Sequence, residues 1–420
     1  MQIKRDYTQP LFTGTRKPKR NYARILFFFG MMIGAVLVYV AANFETLQED
    51  ALEMVGMSPT ATPLPSDLAT IAANLVIQGE LQQAADLFSA AIEQRPDNID
   101  YLYEYGQLLI DMGDYSTPLE LGDRILQVNP DEARGYALKA RALVWAGNPT
   151  AAVPVAIAGL DIRPGYAPLY SMLARAYSDS GQYADGVEAG LRAIEADPED
   201  VDSRRSYAHT LSYVGDSAEA TRQLEIALMM DTNKIATYFE LAFFYLAQNR
   251  DQEAIDLYDR VLAIQPRNAR AMLRLCEAYR KVGQFQRAVG YCQDATETDP
   301  TYTDAFFQLG LLLYNDTSDS QNFTRARNAF ARCSELNPDS LNCKYRLGLS
   351  YHYMGDCDNA WTILQEALVM AQGRALSAAV ETATTHITEG LNAVGQSCPQ
   401  YGRILPTTPP EVTPEVGSEA

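Results

Sequence analysis

The chain has 420 residues, and its 53 Asp and Glu outnumber 34 Lys and Arg to give a formal net charge of −19 at pH 7. Residues 1–24 run the other way, with Lys4, Arg5, Arg16, Lys17, Lys19, Arg20 and Arg24 against Asp6, a net of +6 that leaves −25 on the remainder. A body this acidic repels phosphate backbones, so no nucleic acid is expected as a partner.

The basic tail, 1–24, leads into an uncharged run from Ile25 to Ala42. Its length suits a single transmembrane helix over 25–44. Cations on its N-terminal side place that end in the cytoplasm, which predicts a single-pass membrane protein whose body is extracytoplasmic and which meets the membrane through this helix. The small residues Val40, Ala41 and Ala42 also fit a signal-peptide cleavage site, and cleavage is the rival reading. Residues 45–64 end in a Pro/Thr-rich stretch that reads as a linker.

From residue 65 the chain repeats itself. Pro96, Pro130, Pro164 and Pro198 follow one another at 34 residues, Thr232 takes the next slot, and Pro266 and Pro300 continue in step. Pro338 comes after 38, the excess lying in the insertion around Asn315–Gln321. A fixed period of this size predicts a solenoid of stacked supersecondary units. Within the first copy Leu68, Ile71, Ala72 and Leu75 recur at helical spacing, Gly79 breaks the helix, and Ala84, Phe88 and Ala91 line a second one.

Later copies are fuller. Residues 235–268 offer Tyr238, Leu241, Ala242, Tyr245, Ala254, Tyr258 and Pro266; residues 269–302 offer Met272, Leu275, Cys276, Tyr279, Gly283, Ala288, Ala295 and Pro300. This pattern resembles the tetratricopeptide repeat (TPR) family. The resemblance covers residues 65–374, nine units in frame. It implies an all-α, right-handed α-solenoid of about nine TPR-type helical hairpins. Small residues at the eighth and twentieth positions let paired helices touch, and large ones at the fourth, seventh, eleventh and twenty-fourth fill the space between hairpins. Pro118 and Gly122 depart from the pattern in unit two, and Pro154 is expected to kink the second helix of unit three, making the N-terminal half less regular. Residues 375–398 read as a capping helix, and 399–420, rich in Pro, Thr and Glu, read as disordered.

No chemistry-bearing motif stands out. His209, His352 and His386 are the chain's three histidines, and no P-loop, HExxH, GxSxG or dinucleotide fingerprint is present. The expectation is a protein that is not an enzyme and holds no cofactor and no metal. In the hairpin frame the six cysteines fall into three local pairs, Cys276 with Cys292, Cys333 with Cys343, and Cys357 with Cys398, each compatible with a disulfide; six buried thiols are the alternative.

By resemblance, the second, fifth, ninth and twelfth positions of the first helices face a concave groove for a protein or peptide. There the ninth position carries Arg141, Arg175 and His209, with Arg205 beside them; later units supply Phe239, Phe243, Phe307, Tyr314 and Tyr345. The cations could take acidic groups of a partner, or pair with Asp and Glu of neighbouring units. The reading is therefore a membrane-tethered scaffold binding protein or peptide partners. A glycan or cell-wall ligand module, or a non-catalytic regulatory subunit of an envelope enzyme, is the alternative.

Overall fold

The computed structural model describes Tyr39, residues 63–316, residue 318 and residues 321–402. Nineteen helices lie among them. They pair as nine hairpins: α1 (Pro65–Gln78) with α2 (Leu81–Gln94), α3 (Ile99–Asp111) with α4 (Thr117–Val128), α5 (Ala133–Trp145) with α6 (Pro149–Ile162), α7 (Ala167–Asp179) with α8 (Tyr183–Ala196), and α9 (Val201–Val214) with α10 (Ser217–Met230). Then follow α11 (Ile235–Ala247) with α12 (Asp251–Ile264), α13 (Ala269–Lys281) with α14 (Phe285–Thr298), α15 (Thr303–Asn315) with α16 (Gln321–Leu336), and α17 (Leu341–Tyr353) with α18 (Cys357–Gln372). A final helix, α19 (Ala378–Ser397), lies against the last hairpin.

Each hairpin is made by the same local rules. At the fifteenth position the chain turns in the left-handed region, which glycine enters without a Cβ penalty: Gly79, Gly113, Gly147, Gly181, Gly215, Gly283 and Gly355 have positive φ, and Asn249 takes the slot in unit six at φ 60°. The residue before several first helices caps them. Asn98 accepts from the Tyr101 N–H, Asp200 from Ser203 and Asn268 from Ala271, satisfying backbone donors that the helix start leaves free. Ala72, Ala140, Ala174, Ala208 and Ala242 at the eighth position are buried, and so are Ala84, Ala152, Ala220, Ala254 and Ala288 at the twentieth. The large residues between them fill the core, with Leu224, Tyr258 and Phe330 among the most enclosed.

Both prolines are accommodated. Pro118 stands at the first turn of α4, where a missing N–H costs nothing because that donor has no partner in the helix. Asp114 Oδ1 accepts from the backbone N–H of Ser116 and Thr117 just ahead of it. Pro154 sits inside α6, and the helix runs through it from Pro149 to Ile162, without the backbone donor that the proline lacks.

Sulfur chemistry closes the C-terminal third. Cys276–Cys292 joins α13 to α14 with a Cα–Cα separation of 5.3 Å, Cys333–Cys343 joins α16 to α17 at 5.7 Å, and Cys357–Cys398 ties the start of α18 to the end of α19 at 6.1 Å. Tyr401 follows, stacked on Trp361 at 4.8 Å with its hydroxyl donating to Asp358.

The expected single-pass placement needs correction. Among the described residues no helix is long and apolar enough to cross a membrane. The 25–44 segment that carried the expectation lies outside them apart from Tyr39, as do the 1–24 tail, residues 45–62 and residues 403–420.

Candidate functional site

The first-helix face of units two to six is filled by the chain itself. Arg141 on α5 reaches Asp111 at 3.2 Å and Asp202 at 3.6 Å. Arg175 on α7 lies 3.3 Å from Glu240, and its Nε donates to Ser206 Oγ at 3.1 Å. Arg205 on α9 grips Glu240 with Nε and Nη2, both at 2.8 Å, and meets Asp202 through Nη1 at 2.5 Å. Lys234 adds a fourth cation, 3.1 Å from Asp202. The Trp145 ring lies between two of the guanidiniums, 5.1 Å from Arg141 and 5.0 Å from Arg175. His209 Nε2 is 2.8 Å from Asp179 Oδ1, to which Tyr213 also donates at 2.9 Å.

Electrostatics follows from this crowding. Burial pushes the Glu240 carboxyl up, but Arg205 and Arg175 outweigh it and hold the group below the usual carboxylate range. Asp202 is driven down further, since Arg205, Lys234 and Arg141 together outweigh its burial. Burial opposes the charge on Arg205 as well, and the two carboxylates reverse that and raise its pKa. Arg205 keeps 7% of its side chain exposed and Arg141 12%, so neither offers a free cation. The charge a partner was expected to supply is already present in the chain.

Asp202, Glu240, Asp179 and Trp145 were not singled out from the sequence. The signal was faint: Asp202 stands at the second position of unit five and Glu240 at the sixth of unit six, among dozens of other carboxylates. The roles of Asp202 and Glu240 depend in part on contacts that skip a unit. Arg141 of unit three meets Asp202 of unit five, and Arg175 of unit four meets Glu240 of unit six.

Units six to nine differ. Phe239 is buried under Arg270, whose guanidinium is 4.4 Å from the ring. Phe243, at the ninth position of unit six, is 63% exposed and rests edge-on against Phe244. Phe307 and Tyr314 are half-buried around Phe330. Tyr314 also meets Phe323 and Tyr353 edge-on, and those two rings stack at 5.2 Å. Tyr345 is buried, stacked near His386. Arg346 lies over Tyr345 at 5.2 Å and Tyr314 at 5.8 Å. Among the described residues neither Arg270 nor Arg346 forms an ion pair. A cavity of about 760 Å³ opens at the turn side of units seven and eight, lined by Phe285, Val289, Leu311 and Arg287. Among the described residues no cluster of His, Cys, Asp and Glu is placed to hold a metal ion.

Sequence profiles of the tetratricopeptide repeat match residues 75–142, 167–200, 208–269 and 252–309, the second of these coinciding with the α7–α8 unit. The chain is a tetratricopeptide-repeat protein. The TPR array is similar to the Protein CTR9 homolog of Arabidopsis thaliana, 24% identical over 58% of this chain and 26% of that protein. It is also similar to the Hsp70-Hsp90 organizing protein of Triticum aestivum, 20% identical over 56% of this chain and 35% of that one. The chain thus spans roughly a quarter to a third of the length of these relatives. Among solved structures, the APC/C hetero-tetramer Cut9–Hcn1 superposes with a TM-score of 0.52 at 16% identity, covering 73% of this chain and 59% of that one, a likeness of TPR fold.

Proposed function

We propose that this TPR array is an interaction scaffold whose docking face is the first-helix side of units six to nine, and that the partner is a polypeptide segment with a large apolar anchor. The observation that carries the reading is Phe243. It stands at the ninth position, where the preceding three units place Arg141, Arg175 and His209, yet it is 63% exposed and they are engaged by Asp202, Glu240 and Asp179. An exposed ring backed by the buried Phe244, on a face whose unit eight carries the half-buried Phe307 and Tyr314, has the composition of an interface core, where a few desolvated aromatics supply most of the affinity. Arg270 and Arg346, held over rings without a carboxylate, fit a rim that takes polar or acidic groups of the same segment. A relative named as an organizing protein for two chaperones accords with a role in joining proteins.

The test is selection of binding peptides from a random twelve-residue display library on the full chain. The reading predicts clones sharing a large apolar residue, with affinity reduced about tenfold or more by Phe243→Ala, the loss of one buried aromatic anchor. No enrichment, or clones indifferent to Phe243→Ala, would count against it.

A further inference from the structure

The skipped-unit contacts end in one that reaches much further. The Gln265 side chain, at the C-terminal end of α12, donates from Nε2 to the backbone carbonyl of Ile77 at 2.9 Å, across 188 residues. Its orientation is set from the other side, because Asn268 Nδ2 donates to Gln265 Oε1 at 2.7 Å while Asn268 itself caps α13. Gln265 is 8% exposed. Its amide carbon lies 2.9 Å from where a Cβ on Gly79 would stand. The turn of unit one therefore fits around this side chain, and Gly79 serves it as well as the left-handed turn. No other unit's turn glycine with positive φ has an atom within 4 Å of that point. The contact brings the end of unit six onto unit one, and between them Arg141–Asp202 and Arg175–Glu240 span the same face.

We infer that Gln265 is the clasp of a closed, self-occupied conformation in which Asp202 and Glu240 stand in for the carboxylates of an acidic partner. The arginine file of units three to five is a binding site for anionic polypeptide that the chain covers with its own acids. Two features make the cover reversible. The clasp is a single hydrogen bond between a side chain and a turn carbonyl, not a packed apolar seam. Two of the ion pairs beneath it, Arg141–Asp202 and Arg175–Glu240, link units that are not neighbours in sequence, so a change in curvature separates them while each hairpin stays folded. With the clasp released, Arg175 becomes accessible, while Arg205 keeps Asp202 of its own helix and Glu240 of the adjacent unit.

Arginine labelling with phenylglyoxal, mapped by mass spectrometry on the full chain, reads this directly. In the native chain Arg175 and Arg205 should label at least tenfold more slowly than Arg192, which lies on the exposed side of α8. Gln265→Glu keeps the shape of the side chain and removes the donor; loss of one hydrogen bond shifts such an equilibrium by roughly tenfold. Labelling of Arg175 should rise by about that factor, with Arg192 and Arg205 unchanged and helical circular dichroism retained. Gln265→Ala serves as the second variant. Should both keep native helicity while Arg175 stays as protected as before, the clasp is overturned. A general rise that includes every arginine, with loss of helicity in both variants, also overturns it, because the contact would then be part of the fold and not a releasable latch.

Discussion

Glu240 shows how a single side chain decides what a surface does. It neutralises two arginines from two other units, and replacing it with Gln leaves the nearly buried Arg205 and Arg175 short of a carboxylate, although Glu240 itself keeps 30% of its side chain exposed. Removing one member of such a partly buried pair destabilises by about 1–3 kcal/mol, so Glu240→Gln should lower the urea midpoint, read by circular dichroism. The pH dependence has a fixed sign. The folded pKa of Glu240 is depressed, so its stabilisation is complete above the unfolded value, about 4.3, and is lost as pH falls through the folded value. Stability of the native chain should decline as pH drops below about 4.3, with a shallower decline in Glu240→Gln. The arginines at the ninth positions were legible in the sequence, since residue type and register suffice to place them on one face. Their acids were not, because Asp202 and Glu240 reach them across an intervening unit, a property of curvature that no local pattern encodes.

At the scale of the element, the eighth position governs how closely two helices approach. In unit eight a Cβ added to Gly310 would stand 2.6 Å from the Phe330 ring, which is fully buried. Gly310→Ala must therefore displace a core aromatic, an overpacking cost of about 1–3 kcal/mol that outweighs the gain in helix propensity. A lowered thermal midpoint is expected, whereas Gly290→Ala on α14, where nothing lies within 4 Å, should leave it unchanged or raised. Helix positions and turns were legible because glycine at the fifteenth residue and small residues at the eighth and twentieth each follow from a steric demand. Pro154 was legible as a proline inside a helix, and α6 continues through it, packed on both α5 and α7.

For the whole molecule, the 34-residue period yields the TPR array directly, and the family profiles match stretches of it between residues 75 and 309. The period does not say which units touch beyond their neighbours, and Gln265 on Ile77 lies in that gap. The far end is closed by covalent means instead. Cys357–Cys398 spans 41 residues and ties α19 to α18, so Cys357→Ser with Cys398→Ser should destabilise by about 3–4 kcal/mol on chain-entropy grounds. Faster amide exchange in α19 than in α13 would show that the loss is local to the cap. The central claim is that the two stretches of first-helix face have different fates, units two to six filled by their own charges and units six to nine open through Phe243. Hydrogen exchange on the native chain with a display-selected peptide bound tests this most directly. The account predicts protection over 235–247 and 303–315; protection confined to 133–145 and 167–179 would contradict it.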